Sequence, residues 1–424
     1  MLLPSDVFPP RAGGAGWSAH ALALALRGRG HAVTALVPRA GAGGLVREDV
    51  LGIDTLRYGY RTPPIPFVKN YFRHERLWPR LAELIVAEAL REPRLDAPLL
   101  LHAQHVQVAP AAVLAGRRLG APVVVTVRDH WPWDYFATGL HGDRIPYPSQ
   151  TWASLATDLA ARLGALRGLA ALPAVPYMLA HLRRRQRFLR EAQAVIAVSR
   201  YIAGRLEGIV APERLHVIPN MVDTAAITRA LAQPPETPAA SAPFLLFVGK
   251  LERNKGAHLL IEIFGAAVRG GLVDAALLPP LLVAGDGPLR PELERALGEL
   301  GVRVQFLEWV AHDEVLRLMA SCTLLLFPSA WGEPLSRVPL EASACGAAIL
   351  AMPTGGTLDI IDDGVSGVIA RTPQRFAAEL AGLLWAPERR RALGEAARQR
   401  IAERFGTERV IARYEELYRS LVRR

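Results

Sequence analysis

Thr323-Leu324-Leu325-Leu326-Phe327-Pro328-Ser329-Ala330-Trp331-Gly332-Glu333-Pro334-Leu335-Ser336-Arg337-Val338-Pro339-Leu340-Glu341-Ala342 reads as a strand, a loop and the start of a helix. Residues 323–327 show no polar alternation, the pattern of a parallel strand buried on both faces. Glu333 then falls in the loop, and Glu341, eight residues on, falls in the helix. Both carboxylates are therefore expected at the carboxyl end of a strand, where open α/β sheets bind ligands. Unsatisfied amides at the helix start, at Leu335 and Ser336, favour a nucleotide diphosphate. Glu341 is suited to accept hydrogen bonds from ribose hydroxyls, and Glu333 from hydroxyls of a transferred group.

The same alternation extends on both sides of this stretch. Strands are predicted at 244–248, 281–284, 302–307, 323–327 and 348–351, separated by helices at 256–267, 289–300, 313–320 and near 341. Such regularity predicts a parallel sheet covered by helices. The loop Phe247-Val248-Gly249-Lys250-Leu251-Glu252-Arg253-Asn254-Lys255-Gly256 carries two of the chain's three lysines, Lys250 and Lys255, the third being Lys69. Ammonium groups there suit a diphosphate that must be held and then released with extra negative charge. Gly285 and Gly287 in Ala284-Gly285-Asp286-Gly287-Pro288 permit close backbone approach to a base or a phosphate. Residues 352–357, with Gly355 and Gly356, are placed to line the same crevice.

The N-terminal half repeats the theme. Residues 1–3 form a short first strand, read either as a late start or as a lightly built sheet edge. They are followed by Gly13-Gly14-Ala15-Gly16, a helix over 17–29 and a strand over 32–37. Further strands are predicted at 99–102, 123–127 and 195–199, and residues 59–78 read as a loop. Polar candidates again follow strands: Gly14 and Gly16, His102 and His105, then Arg128, Asp129 and His130. The histidines and their neighbours are candidates for positioning a sugar or handling a proton. The domain boundaries drawn from this pattern are 1–222, with a helical insertion at 131–190, a Pro/Ala-rich linker at 223–243, a second domain at 244–386, and terminal helices at 387–424 that reach back to the first domain.

The chain has 424 residues, 51% of them apolar, which is enough for two cores. Its formal charge of +10 comes almost wholly from arginine and suits a polyphosphate ligand or an anionic membrane surface. No zinc-finger spacing or compact basic helix supports nucleic acid as a partner. Cys322 and Cys345 lie in apolar surroundings and are read as core-filling thiols of a reducing compartment. No secretory signal is visible, so a cytoplasmic protein is expected, with membrane contact left open: residues 131–190, ending in Arg183-Arg184-Arg185, read either as an ordinary helical insertion or as an apolar flap or patch in peripheral contact with the inner face of the cell membrane. No metal-ligand spacing stands out, and no essential metal is expected where cationic side chains neutralise a leaving group.

Taken in order, these motifs resemble the family 4 retaining glycosyltransferases of the GT-B fold (glycosyl transferases group 1). The resemblance spans nearly the whole chain. It rests on Gly13-Gly14, Ala197-Val198-Ser199, residues 217–223, the Gly249–Gly256 loop, residues 283–288, Pro328-Ser329, Glu333 and Glu341, Ala344-Cys345-Gly346, and Asp362-Asp363-Gly364-Val365-Ser366-Gly367. It implies two Rossmann-like parallel-sheet domains facing each other across a cleft. It also implies a nucleotide-diphosphate sugar donor in the second, a hydroxyl acceptor in the first, and hexosyl transfer with retention. Under it Glu341 holds the ribose, Glu333 the donor sugar, and Lys255 with Lys250 the diphosphate. Four departures from the family pattern stand out: Lys250 where arginine is usual, Pro339, Thr357-Leu358 after the double glycine, and Arg128 where many members place a histidine, with His130 and His105 nearby. A dehydrogenase or epimerase would need a dinucleotide fingerprint that residues 13–16 lack. A non-catalytic sugar-nucleotide binder would tolerate loss of Lys255, Glu333 and Glu341, all of which are present.

Overall fold

The structure is a computed structural model that describes residues 1–10, 13–41, 43–65, 68–91, 98–142, 145–146 and 150–422. The chain divides into two compact units, the first made of most of residues 1–221 together with 408–424, the second chiefly of residues 222–407.

The first unit's strands are β1 (Leu2–Pro4), β2 (Thr34–Ala40), β3 (Leu45–Val50), β4 (Ile53–Tyr60), β5 (Leu101–Ala103) and β6 (Val123–Val127). Two-residue strands β7 (Leu140–His141) and β8 (Ile145–Pro146) lie in the passage after β6, and β9 (Ala194–Ala197) and β10 (Leu215–Val217) follow. The main sheet runs β10-β9-β6-β5-β1-β2-β4-β3. Every pair in it is parallel except β3–β4. The reading of residues 1–3 as a sheet edge is therefore corrected: β1 is interior, paired to both β2 and β5, and its shortness is tolerated because Leu2 and Leu3 are buried there. The antiparallel edge β3 had no sequence signature, because Arg47, Glu48 and Asp49 are polar positions on an outer strand, where charge protects against stray pairing. Within 59–78, read as loop, β4 continues to Tyr60 and Val68–Arg73 is helical.

Helix Thr407–Val422 closes this unit, packing Val410, Ile411, Tyr414, Leu417 and Tyr418 against Leu3, Leu22, Val37 and Ile196. His102 belongs to that core rather than to a site: Nδ1 meets Tyr418 Oη at 2.7 Å and Nε2 meets Thr126 Oγ1 at 2.7 Å. Residues 152–191 form helices Trp152–Leu163, Ala165–Ala171 and Val175–Glu191, which bury Leu155, Leu159, Met178 and Leu182 in a small core of their own.

In the second unit, β11 (Leu245–Val248), β12 (Leu281–Ala284), β13 (Val304–Glu308), β14 (Leu324–Phe327), β15 (Ile349–Ala351) and β16 (Val368–Ile369) form a wholly parallel sheet. Its order is β13-β12-β11-β14-β15-β16, so β11 and β14 lie side by side at its centre. Two boundaries differ from the sequence reading. Residues 223–243 hold helix Thr224–Ala230 and a 3-10 turn at Pro238–Ser241, and they group with the second unit instead of forming a bare linker. Of the terminal helices, Pro387–Arg404 stays with the second unit, where Arg398 bonds the Cys345 carbonyl at 2.9 Å, and only the chain from Glu408 joins the first. Cys345 is buried and Cys322 half-buried; both thiols are free, and burial pushes each up to about 12.

Candidate functional site

Loops at the carboxyl ends of β11, β12, β14 and β15 are tied to one another through their backbones. Gly249 N donates to Ala284 O at 3.1 Å and Leu251 N to Asp286 O at 3.0 Å, joining the loops after β11 and β12. Ala330 N donates to Asn254 O at 3.1 Å, and Gly356 N to Glu333 O at 2.6 Å, adding the loops after β14 and β15. Glycine makes this packing feasible at two points. Gly256 has φ +74°, and a Cβ on it would fall 1.7 Å from the Pro328 carbonyl oxygen. Gly285 has φ +149°, and its Cβ would fall 2.1 Å from the Gly249 oxygen. Gly287 is similarly close to the Leu251 backbone, so both candidate glycines of this loop serve the junction between loops.

On this platform Lys255 Nζ meets Glu333 Oε1 at 2.8 Å, and Ser329 Oγ donates to the same oxygen at 2.8 Å. The Lys255 ammonium also stands 4.9 Å from the centre of the Trp331 ring. Glu333 is almost wholly buried, whereas Lys255 keeps part of its side chain in solvent. Lys250 extends into solvent, 3.9 Å from Glu252. Helix Arg337–Cys345 starts just beyond: Ser336 is its N-cap with no side-chain bond to the first turn, no acid occupies that turn, and Leu335 is buried before it.

Glu341, on that helix, accepts from Arg337 Nε at 3.0 Å and meets His312 Nε2 at 3.1 Å, both on Oε1. Burial pulls its carboxyl upward, but the His312 hydrogen bond and the Arg337 charge outweigh this and hold it below the usual range. The same bond raises His312. Asn254 Oδ1, Thr354 Oγ1 and Thr357 Oγ1, on the same group of loops, are buried without a partner among the described residues. Native buried polar atoms rarely go unpaired, so these mark room for a ligand's or a water's hydrogen bonds.

The first-unit candidates form a separate set at the ends of β1, β5 and β6. Gly14 opens helix Gly14–Gly28, with Gly16 buried in its first turn. His105 is buried, its Nδ1 3.3 Å from Ser5 Oγ and its Nε2 without a partner among the described residues, and burial with the nearby Arg128 charge lowers it to about 3. It is thus neutral throughout the physiological range. Arg128 is buried too, donating to Gln104 O at 3.1 Å and lying beside Tyr414 of the terminal helix. His130 meets Tyr201 Oη at 3.3 Å and packs on Trp133. Asp129 accepts from Trp131 N at 2.9 Å, and desolvation pushes its carboxyl up to about 7 against the pull of that bond and of Arg185.

Sequence reasoning missed several partners. Ser329 was legible as Ser-x-x-x-Glu, and Arg337 as the residue one helical turn before Glu341. His312 was not, since it reaches Glu341 from the start of a different helix. Asp6, held 3.5 Å from Arg73, and the fully buried Arg185, which donates to Trp131 O at 3.1 Å and stacks 4.6 Å over its ring, complete the first-unit cluster. Among the described residues no group of three or more His, Cys, Asp or Glu is arranged to hold a metal ion.

Known proteins share both the architecture and the sequence. The Anabaena protein HepE in complex with UDP-glucose is 18% identical, with a TM-score of 0.66 over 99% of this chain and 100% of that one. Sucrose-phosphate synthase from Thermosynechococcus elongatus is 20% identical, with a TM-score of 0.65 over 99% and 98%. These likenesses show the two-domain fold. By sequence, the chain is 30% identical over 253 residues to alpha-maltose-1-phosphate synthase of Mycolicibacterium smegmatis, covering 54% of this chain and 64% of that protein. The chain thus spans less than two thirds of the length of this and other curated relatives that it matches. Residues 231–400 match the family described as Glycosyl transferases group 1, and residues 12–226, just over half of the chain, match Glycosyltransferase Family 4. With that match and the GT-B architecture together, the chain belongs to Glycosyltransferase Family 4.

Proposed function

We propose that the protein is a retaining glycosyltransferase that moves a hexosyl group from a nucleotide-diphosphate sugar to a hydroxyl of a glycan, lipid-linked or small-molecule acceptor. The observation that carries this is the shared lip formed by Lys255, Glu333, the start of helix Arg337–Cys345 and Glu341, all at the carboxyl ends of the adjacent strands β11 and β14. The ammonium of Lys255 and the positive end of helix Arg337–Cys345, whose first turn holds no acid, answer the charge of a diphosphate, with Lys250 as a second, solvent-side cation. Glu341 Oε2 is left to the ribose because its ion pairs fall on Oε1. Gly285 and Gly287 pack the loop after β12 on the Gly249 and Leu251 backbone, and that loop is assigned to the base. Glu333 shares its carboxylate with Lys255 and Ser329 and serves in binding the donor sugar, not as a covalent nucleophile. As the glycosidic C–O bond breaks, negative charge grows on the diphosphate, and Lys255 is positioned to stabilise it. The acceptor hydroxyl forms the new bond on the same face of the sugar, and its proton passes to a phosphate oxygen of the leaving group.

The first unit holds the acceptor, with His105, Arg128, Asp129 and His130 around the strand ends. No described helix is long and apolar enough to cross a membrane, and a lipid-linked acceptor would place the protein peripherally on an anionic membrane face. Incubating the protein with a panel of uridine- and guanosine-diphosphate hexoses tests this reading. Release of the nucleoside diphosphate and transfer to added glycan or lipid-linked hydroxyls, with the anomeric configuration kept, is expected. Binding of the nucleotides with no turnover of any donor would favour a sugar-nucleotide-binding protein instead.

A further inference from the structure

Residues 57–80 carry Arg57, Arg61, Lys69, Arg73, Arg76 and Arg80 against one acid, Glu75, which is buried and already bonded to His181 and Arg184. Arg57 pairs with Glu48, and Arg73 approaches Asp6. Arg61, Arg76 and Arg80 are exposed and have no carboxylate partner among the described residues. Together with Tyr60, Phe72 and Leu77 they line a hollow of about 360 Å³. Guanidinium groups gathered around one hollow repel one another unless an anion sits among them, and their forked donors match phosphate oxygens.

The apolar surface beside this hollow is equally unusual. Helix Val68–Arg73 buries none of its residues, and Ile65, Val68 and Tyr71 are 55%, 40% and 43% exposed. Tyr71 packs edge-on against Phe72 at 5.8 Å, and the Arg76 guanidinium lies 4.6 Å over the Phe72 ring, so the apolar rim adjoins the cationic hollow through Tyr71 and Phe72. A soluble phosphate would use the arginines and leave the rim in water. A bilayer with anionic headgroups satisfies both, taking the apolar side chains at the acyl boundary and the guanidiniums on its phosphates. The exposed leucines of the helix Ala165–Ala171, Leu166 and Leu169, lie next to Arg167 alone within that helix and lack this charge complement.

We propose that the hollow of Arg61, Arg76 and Arg80, with the rim of Ile65, Val68 and Tyr71, seats the first unit on an anionic lipid surface. The same short helix reaches the first-unit cluster, through Arg73 to Asp6 at 3.5 Å and Asn70 to Tyr135 Oη at 3.1 Å. On the reading of the first unit as the acceptor side, the seat delivers a lipid-linked acceptor beside Asp6 and Asp129.

Flotation of the purified full-length protein with phosphatidylglycerol-containing or pure phosphatidylcholine vesicles, without sugar nucleotide, tests the seat apart from the transferase reading. Wild type should float with the anionic vesicles at least tenfold more than with the neutral ones and release at high salt. The variants R61Q/R76Q/R80Q and I65S/V68S/Y71S should each lose at least tenfold, while keeping wild-type melting temperature and UDP affinity. L166S/L169S should float as wild type does. Equal flotation on neutral vesicles, or full flotation of the arginine variant, would overturn the proposal. So would loss confined to L166S/L169S, or release by millimolar inorganic phosphate at constant ionic strength, which would mark a soluble-anion site.

Discussion

Lys255 Nζ and Glu333 Oε1 are 2.8 Å apart, the lysine on the loop after β11 and the glutamate on the loop after β14. Ser329 Oγ holds the same carboxylate oxygen, so Glu333 is fixed from two sides before any ligand arrives. A partly exposed cation anchored on a buried anion is preorganised: it need not be ordered when a diphosphate binds, and it need not wander when the product leaves.

The contact should be visible in stability. Lys255→Met strands a buried carboxylate and should cost about 2–3 kcal/mol. The double variant K255M/E333Q should recover most of that loss, giving a coupling energy above about 1 kcal/mol. Urea unfolding of the four proteins checks this, and additive single-variant effects would mean that the two groups do not interact.

Glu341 is assigned to ribose and not to phosphate, so its removal should discriminate between ligands. Glu341→Ala is expected to weaken UDP at least tenfold and to leave inorganic pyrophosphate binding within about twofold. Competition of each ligand against a fluorescent nucleotide provides the readout. Equal losses for both would place Glu341 in the diphosphate site.

Gly256 and Gly265 offer a matched comparison on one helix and its start. Gly256→Ala drives a methyl into the Pro328 carbonyl at a positive φ and should cost more than about 3 kcal/mol or abolish folding. Gly265→Ala, with open space around the new Cβ, should gain about 0.5–1 kcal/mol. Thermal melts of the two variants should move in opposite directions.

Asp129 should give the chain a distinctive pH signature. Its folded pKa is raised to about 7 from an ordinary value of 3.8, so between those values the folded state holds a proton that the unfolded state has lost. Stability therefore falls as pH rises through this window and levels off above it. Asparagine mimics the protonated form, so Asp129→Asn should match wild type only below about pH 3.8, and its advantage over wild type should grow by about 2 kcal/mol between pH 5 and pH 8. Denaturant unfolding at both pH values measures the difference; a constant offset would show that Asp129 ionises normally.

The strand alternation of the second unit was legible because parallel strands buried on both faces leave uninterrupted apolar runs such as Leu324–Phe327. The central place of β1 was not, because length carries no information about pairing, and neither was the charged edge β3. Local spacing could have disclosed what lies within one loop or one helical turn, as with Ser329 and Glu333 or Arg337 and Glu341, although those pairs went unread. It gave no access to long-range partners: His312 to Glu341, or Tyr418 from the last helix to His102 in the core. The histidine misread as a site candidate follows the same logic, since a polar residue ending a strand looks the same whether it faces a ligand or a tyrosine 316 positions away.

Calorimetric titration of UDP and GDP into wild type and Lys255→Ala, with folding of both verified by circular dichroism, tests the central claim most directly. The account predicts that wild type binds at least one of the two nucleotides and that the variant, still folded, binds it at least tenfold more weakly. An unchanged affinity in the variant would contradict the assignment of the Lys255 lip to the diphosphate.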